Sequence, residues 1–296
     1  MVFFQYIEYL KRIMKQSVKF FRMVFPLLII YISLWLVLSA EGCSAGVLEL
    51  SAGSRAVSLG GAFTAVTGSP EGIFYNPAIL SASDSFGVSF FYTHLYQMKE
   101  LQYAALAVNI PCVLGNAGIA SKMFGNSIYS ERAVSLGWAF SICRQIHIGL
   151  AVKKNQLRIK GYGAEEILLF DLGLLFNLTK TLTIGASVLH AGKSSASAYR
   201  SSIPLIYSTG LSWKVIKDFL FCIDLTGSDT VGLNTRFGCE LRIWQPIWIR
   251  CGFERAPPCF SSGIGVQWKN IVLDYAVRFH NCLGATHYCS VSFFLG

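Results

Sequence analysis

Between Val231 and Ile243 the chain alternates without interruption. Val231, Leu233, Thr235, Phe237, Cys239, Leu241 and Ile243 share one side, and Gly232, Asn234, Arg236, Gly238, Glu240 and Arg242 share the other. Successive side chains of an extended strand point to opposite faces, so this is a ribbon with one apolar face and one polar or small face. At 13 residues it exceeds the usual soluble strand of about 5–6. It suits a tilted strand crossing a bilayer, which needs about 9–11. Ala133 to Ile142 repeats the pattern, with Val134, Leu136, Trp138, Phe140 and Ile142 on one face.

The same period runs through the rest of the chain. About 14 segments carry it, near 86–96, 101–111, 116–124, 131–143, 146–159, 166–178, 181–190, 203–215, 218–226, 230–243, 246–255, 260–268, 271–280 and 286–295. Tight turns at Arg144-Gln145, Thr179-Lys180, Ile216-Lys217, Gln245-Pro246 and Lys269-Asn270 alternate with the longer links 160–165, 191–202, 255–259 and 281–285. Outer-membrane barrels alternate periplasmic turns and extracellular loops in this way, with an even strand count. Trp213, Trp244, Trp248 and Trp268 lie beside the tight turns, where an interfacial aromatic girdle is expected.

Composition agrees. The chain is 53% hydrophobic but only 14% charged, against about 25% charged in soluble domains. Outside residues 26–40 there is no long apolar run of the kind a membrane helix needs. The expected fold is therefore all-β: a transmembrane antiparallel up-and-down barrel of about 14 strands over residues 86–296. An anchored periplasmic all-β protein is the alternative.

Residues 1–42 read as a signal peptide, with an uncleaved membrane anchor as the alternative. Lys15, Lys19 and Arg22 precede an apolar core from Pro26 to about Ala40, and small residues follow. Counted from Met14 the leader has ordinary length, which points to Met14 as the true start. Of the formal charge of +9, five Lys/Arg against two acidic residues fall in this segment. No basic cluster longer than Lys153-Lys154 remains, so nucleic acid is not an expected partner. The nine cysteines contain no Cys-x-x-Cys pair and no neighbouring His at ligand spacing. Neither a metal site nor a disulfide framework is expected, although an exported chain can form one or two bridges. The five histidines are scattered, with His147 and His280 at lumen or rim positions. No local motif supports catalysis, so the expectation is a non-enzyme without cofactors.

One stretch departs from alternation: Ser51–Leu80, SAGSRAVSLGGAFTAVTGSPEGIFYNPAIL. A phosphate loop would need a preceding strand, a following helix and a terminal Lys-Ser/Thr, and these are missing. Its elements are Ala52-Gly53-x-Arg55-Ala56, Leu59-Gly60-Gly61-Ala62-x-Thr64-Ala65-Val66 and Tyr75-Asn76-Pro77-Ala78-x-Leu80. With Asp171-Leu172-Gly173 and the final Leu283–His287 hairpin, they resemble the PorV/PorQ-type outer-membrane proteins, relatives of the FadL hydrophobic-compound transporters. The chain departs from that pattern in ending Phe294-Leu295-Gly296 rather than on an aromatic residue.

The resemblance implies that residues 43–85 fold inward as a plug or hatch. Arg55, Gly60, Gly61, Thr64, Tyr75, Asn76 and Pro77 are its candidate residues. Small residues suit a confined lumen, and Asn76-Pro77 forces a turn. On the late strands, Arg236, Glu240, Arg242, Arg250, Glu254, Asp274 and Arg278 are expected to line the lumen. A charge facing lipid at mid-depth costs about 2–4 kcal/mol. These groups read as an ion-pair lattice between plug and wall or as a selectivity lining, with Arg55 pairing Glu240 or Asp274. The resemblance implies a scaffold for protein secretion or surface attachment with secreted or surface proteins as partners. The alternative is transport of hydrophobic small molecules; outer-membrane lipid is the common partner.

Overall fold

The computed structural model describes residues 50–192, 203–228, 232–281 and 283–295. The expected signal peptide, residues 1–42, and residues 43–49 of the expected plug lie outside the described residues. Fourteen strands form one closed antiparallel barrel in which each strand pairs with its sequence neighbours. They are β1 Phe86–His94, β2 Gln102–Cys112, β3 Gly115–Gly125, β4 Tyr129–Ser141, β5 Ile146–Ile159, β6 Gly163–Asn177 and β7 Leu182–Ala191. The remainder are β8 Ile206–Ile216, β9 Phe219–Ser228, β10 Leu233–Trp244, β11 Ile247–Glu254, β12 Cys259–Trp268, β13 Ile271–His280 and β14 Gly284–Leu295. Each strand boundary falls within three residues of the alternating segments read from the sequence.

Closure comes from β1 and β14, which pair from Phe86↔Leu295 to Thr93↔Tyr288. The seam leaves no strand edge open, as a barrel in hydrocarbon requires. β6 shows how the two faces divide. Leu168, Phe170, Leu172, Leu174 and Phe176 point outward and expose between 39% and 50% of their surface. Ile167, Leu169, Asp171 and Leu175 point inward and are buried. An apolar exterior of this kind, repeated around a closed barrel, is a membrane-facing surface. Among the described residues no helix is long and apolar enough to cross a membrane; the strands cross it.

The inward positions are mostly small or polar. They enclose residues 50–85, which form a short helix α1 (Ser54–Ser58) and two 3-10 turns, Pro70–Phe74 and Pro77–Ala82. α1 lies against β11–β14, and the Pro77–Ala82 turn lies against β3–β6. The fit is set by backbone against backbone. Gly60, at φ 68°, sits where an added Cβ would come 2.7 Å from the Phe253 amide nitrogen. A Cβ on Gly252 of β11 would in turn overlap the Gly60 backbone.

Parity corrects one expectation. Trp248 shares the inward face of β11 with Arg250 and Glu254 and does not join the girdle. It takes the Arg242 guanidinium 5.0 Å from its ring centroid. Trp213, Trp244 and Trp268 remain exposed near the turns.

A Gly252→Val substitution should lower the thermal unfolding midpoint by the equivalent of about 1–3 kcal/mol, the usual cost of overpacking. The barrel should still show heat-modifiable migration on gels, because Gly252 meets the inward segment rather than a neighbouring strand. An unchanged midpoint would mean that the segment does not press on this wall.

Candidate functional site

The site is the contact between the inward segment and the barrel wall. The segment folds back on itself through its own motif residues. After α1, Gly60 and Gly61 adopt φ of 68° and 82°, a left-handed turn that favours glycine. The Gly61 amide donates to the Ala56 carbonyl at 2.9 Å. Asn76 then ties three pieces together. Its Oδ1 accepts from the Ala78 amide at 3.0 Å, capping the turn that Pro77 begins. Its Nδ2 donates to the carbonyls of Thr64 at 2.8 Å and Leu174 of β6 at 3.1 Å. The Tyr75 hydroxyl donates to the Ala52 carbonyl at 3.0 Å. Burial raises the Tyr75 phenol well above its ordinary range, so it serves as a neutral donor.

Two ion networks occupy the lumen face of the late strands. In the first, Arg55 grips Glu240 with two hydrogen bonds of 2.9 Å, from Nε and Nη2. Arg250 bridges Glu240 and Asp274, at 2.6 Å to each. Of the two partners considered for Arg55, the structure selects Glu240; Asp274 is held by Arg250. In the second, Glu254 accepts from Arg236 at 2.8 Å and from Asn234 at 2.9 Å, with Arg278 at 3.5 Å. All seven expected lumen residues point inward. Arg242 stands apart from both networks: it lies 3.9 Å from Asp218 and stacks on Trp248.

Several further residues hold the segment or brace the wall beside it. Asp224 of β9 accepts from the amides of Phe63 and Thr64, both at 2.8 Å through one oxygen. Ser290 of β14 accepts from the Ser54 amide and donates to the Ser54 hydroxyl, both at 2.8 Å. Glu71 is buried and accepts from Ser89 of β1 at 2.7 Å, and Ser89 in turn accepts from Ser292 of β14 at 3.0 Å. On β5 and β6, Lys153 pairs with Asp171 at 2.8 Å in full burial. Asp171, part of the Asp171-Leu172-Gly173 match, also carries a physical signal: a carboxylate inside an apolar membrane strand has to face inward.

The fold also assembles a Ser–His–Asn cluster. His147 Nδ1 lies 2.8 Å from Ser141 and 3.1 Å from Ser81 of the inward segment, and Nε2 lies 3.0 Å from Asn177 Nδ2. The same amide nitrogen donates to the Arg144 carbonyl, which fixes its orientation. Nε2 is therefore the acceptor, and Nδ1–H donates toward the serines. In that tautomer the imidazole is not a base for either hydroxyl; it fastens the segment to the wall. Among the described residues, no His, Cys, Asp and Glu group is arranged to hold a metal ion.

A cavity of about 570 Å³ opens between the segment and the tight-turn end of the barrel. Its deep wall holds Arg55, Glu240, Arg250 and Asp274, so charge there is balanced. Its mouth carries Lys214, Lys217, Arg242 and Lys269 against Asp218, an excess of positive charge beside Trp248, Val272 and Phe294.

Truncating Arg55→Ala should cost about 3 kcal/mol, the lower end for breaking a buried pair, because Glu240 keeps Arg250. Arg55→Lys should recover only part, lacking the two-pronged fork. Equal midpoints for all three proteins would remove Arg55 from the hold. Glu71 supplies a pH dependence. Burial pushes its carboxyl up to about 7 from an ordinary 4.5, with the Ser89 hydrogen bond opposing. A raised folded-state value means the stability it contributes is complete below 4.5 and is lost as pH rises through about 7. The span is on the order of 3 kcal/mol. Thermal midpoints measured from pH 4 to 8 should fall across that window, and Glu71→Gln should flatten this part of the curve.

No family model matches the chain, and no curated protein matches it in sequence. Solved structures match its fold. The toluene transporter TbuX of Ralstonia pickettii aligns at TM-score 0.62 and 13% identity, covering 82% of this chain and 97% of TbuX. A Pseudomonas aeruginosa FadL homologue aligns at 0.59 and 10%, covering 84% and 99%. The Pseudomonas putida toluene transporter TodX aligns at 0.56 and 11%, covering 84% and 98%. The chain has the FadL-type outer-membrane barrel fold.

Proposed function

We propose that the protein passes small hydrophobic molecules across the bacterial outer membrane, with its inward segment as the plug of the lumen. The observation that carries this reading is the seated segment. The chain fills its own barrel, so general aqueous diffusion through the lumen is obstructed, and polar pairs hold the obstruction on one side of a partly apolar cavity. Likeness in fold to toluene transporters supports the same substrate class. Backbone-tight packing at Gly60 and Gly252 supports a plug that shifts as a unit rather than one that deforms.

The motif Ser51–Leu80 supports a second reading, in which the barrel is a PorV/PorQ-type scaffold for secretion or surface attachment and its loops hold a protein partner. Most of the residues that carry that resemblance are those that seat the segment, so the motif serves either role. Neither reading contains a catalytic step or a cofactor.

Intact cells with a lipopolysaccharide outer leaflet exclude N-phenyl-1-naphthylamine. Expression of the protein should speed entry of this probe without admitting a polar probe such as nitrocefin, and Arg55→Ala should speed it further. Entry no faster than in cells lacking the protein, together with stoichiometric recovery of one secreted protein on purification, would replace transport by the scaffold.

A further inference from the structure

Seven cysteines lie among the described residues. Among them, only Cys239 of β10 and Cys251 of β11 stand directly opposite each other on adjacent strands. Both side chains lie on the lipid-facing side, in parity with the exposed Leu241 and Ile249. The rung can be identified from the ladder. The Arg255 amide donates to the Thr235 carbonyl, which makes that opposed pair a hydrogen-bonded one. Stepping two residues at a time along both strands, Cys239↔Cys251 is hydrogen-bonded as well. Such a rung has a Cα separation of about 5.5 Å, inside the roughly 4.4–6.8 Å that a disulfide spans.

The neighbouring outward rungs are Phe237↔Phe253 and Leu241↔Ile249, apolar pairs of the kind expected against lipid. A single thiol there would be a small hydrophobe. Two thiols facing each other across one rung also meet the geometric condition for a bond. The next rung on the lumen side is Glu240↔Arg250, the pair that receives Arg55. A covalent link at Cys239–Cys251 would therefore fix the register of the hairpin that anchors the inward segment.

We propose that Cys239 and Cys251 form a cross-strand disulfide during export. An outer-membrane chain passes through an oxidising compartment, and the two residues lie in one short hairpin, close in sequence before the barrel closes. The oxidant is a protein disulfide carrier of that compartment. One cysteine thiolate attacks the carrier disulfide and releases one carrier thiolate. The second cysteine thiolate attacks the mixed disulfide and releases the other. Two electrons and two protons pass to the carrier, which leaves as a dithiol.

The test uses the full chain exported to the outer membrane, acid-quenched, denatured, blocked with N-ethylmaleimide and digested without reductant. The expected product is one linked species holding Cys239 and Cys251, lighter by two hydrogens than the reduced peptides and separated by reduction. Cys251→Ser should abolish it and leave Cys239 carrying the maleimide. Recovery of both cysteines as maleimide adducts, even after exposure of the exported protein to oxidised glutathione, overturns the proposal. A bond from either residue to a different cysteine overturns it equally.

Discussion

Water is absent from the hydrocarbon core of a bilayer, so a backbone group that reaches it must find its partner within the protein. The β1–β14 pairing meets that condition for the last open edge, and everything else in the molecule follows from the closed wall it makes. Once the strands are committed to a cylinder, alternation assigns each side chain to lipid or lumen. The lipid face is served by Leu, Phe, Val and Ile. The lumen face cannot be filled by large apolar groups from 14 strands and also hold a segment, which is why Gly149, Gly173, Gly185 and Gly252 stand where the segment passes.

Inside the wall, the charged groups find their partners among protein atoms. Arg55 enters with the segment and meets Glu240, which Arg250 already flanks; Asp274 completes the balance. Buried ion pairs contribute less net stability than their short distances suggest, because desolvation opposes the attraction. Their value here is in register. A segment shifted by one residue would bring Arg55 away from Glu240, and the Phe63 and Thr64 amides away from Asp224. Packing at Gly60 would fail together with the charges.

Much of this architecture was legible in the sequence because period two is a direct imprint of the pleat. All 14 strands and the inward direction of Arg236, Glu240, Arg242, Arg250, Glu254, Asp274 and Arg278 follow from it. Partner choice was not legible. Whether Arg55 meets Glu240 or Asp274 depends on barrel curvature and on where Arg250 points, and no local pattern encodes that. Asp224 lies beside Cys222 and Leu220 on an inward face that looks apolar, so its role emerges only when the amides of Phe63 and Thr64 arrive. Trp248 was read by its nearness to a turn when its parity with Arg250 was the stronger signal. Glu71, between Pro70 and Gly72, lies outside any alternating segment, and its burial follows only from the barrel that encloses it.

The serines along the seam have a consequence for how the molecule is assembled. Ser54 meets Ser290 on β14, while Glu71 meets Ser89 on β1, which is itself bonded to Ser292 on β14. The first and last strands of the barrel are thus joined twice: once along their backbones and again through hydroxyls that reach the inward segment. The segment acts as a keystone, set into the arch at the joint where its two ends meet. A chain that closes around an empty lumen would keep the Ser292–Ser89 bond but lose the ties from Ser290 and Ser89 to the segment, so the joint is fully braced only with the keystone seated.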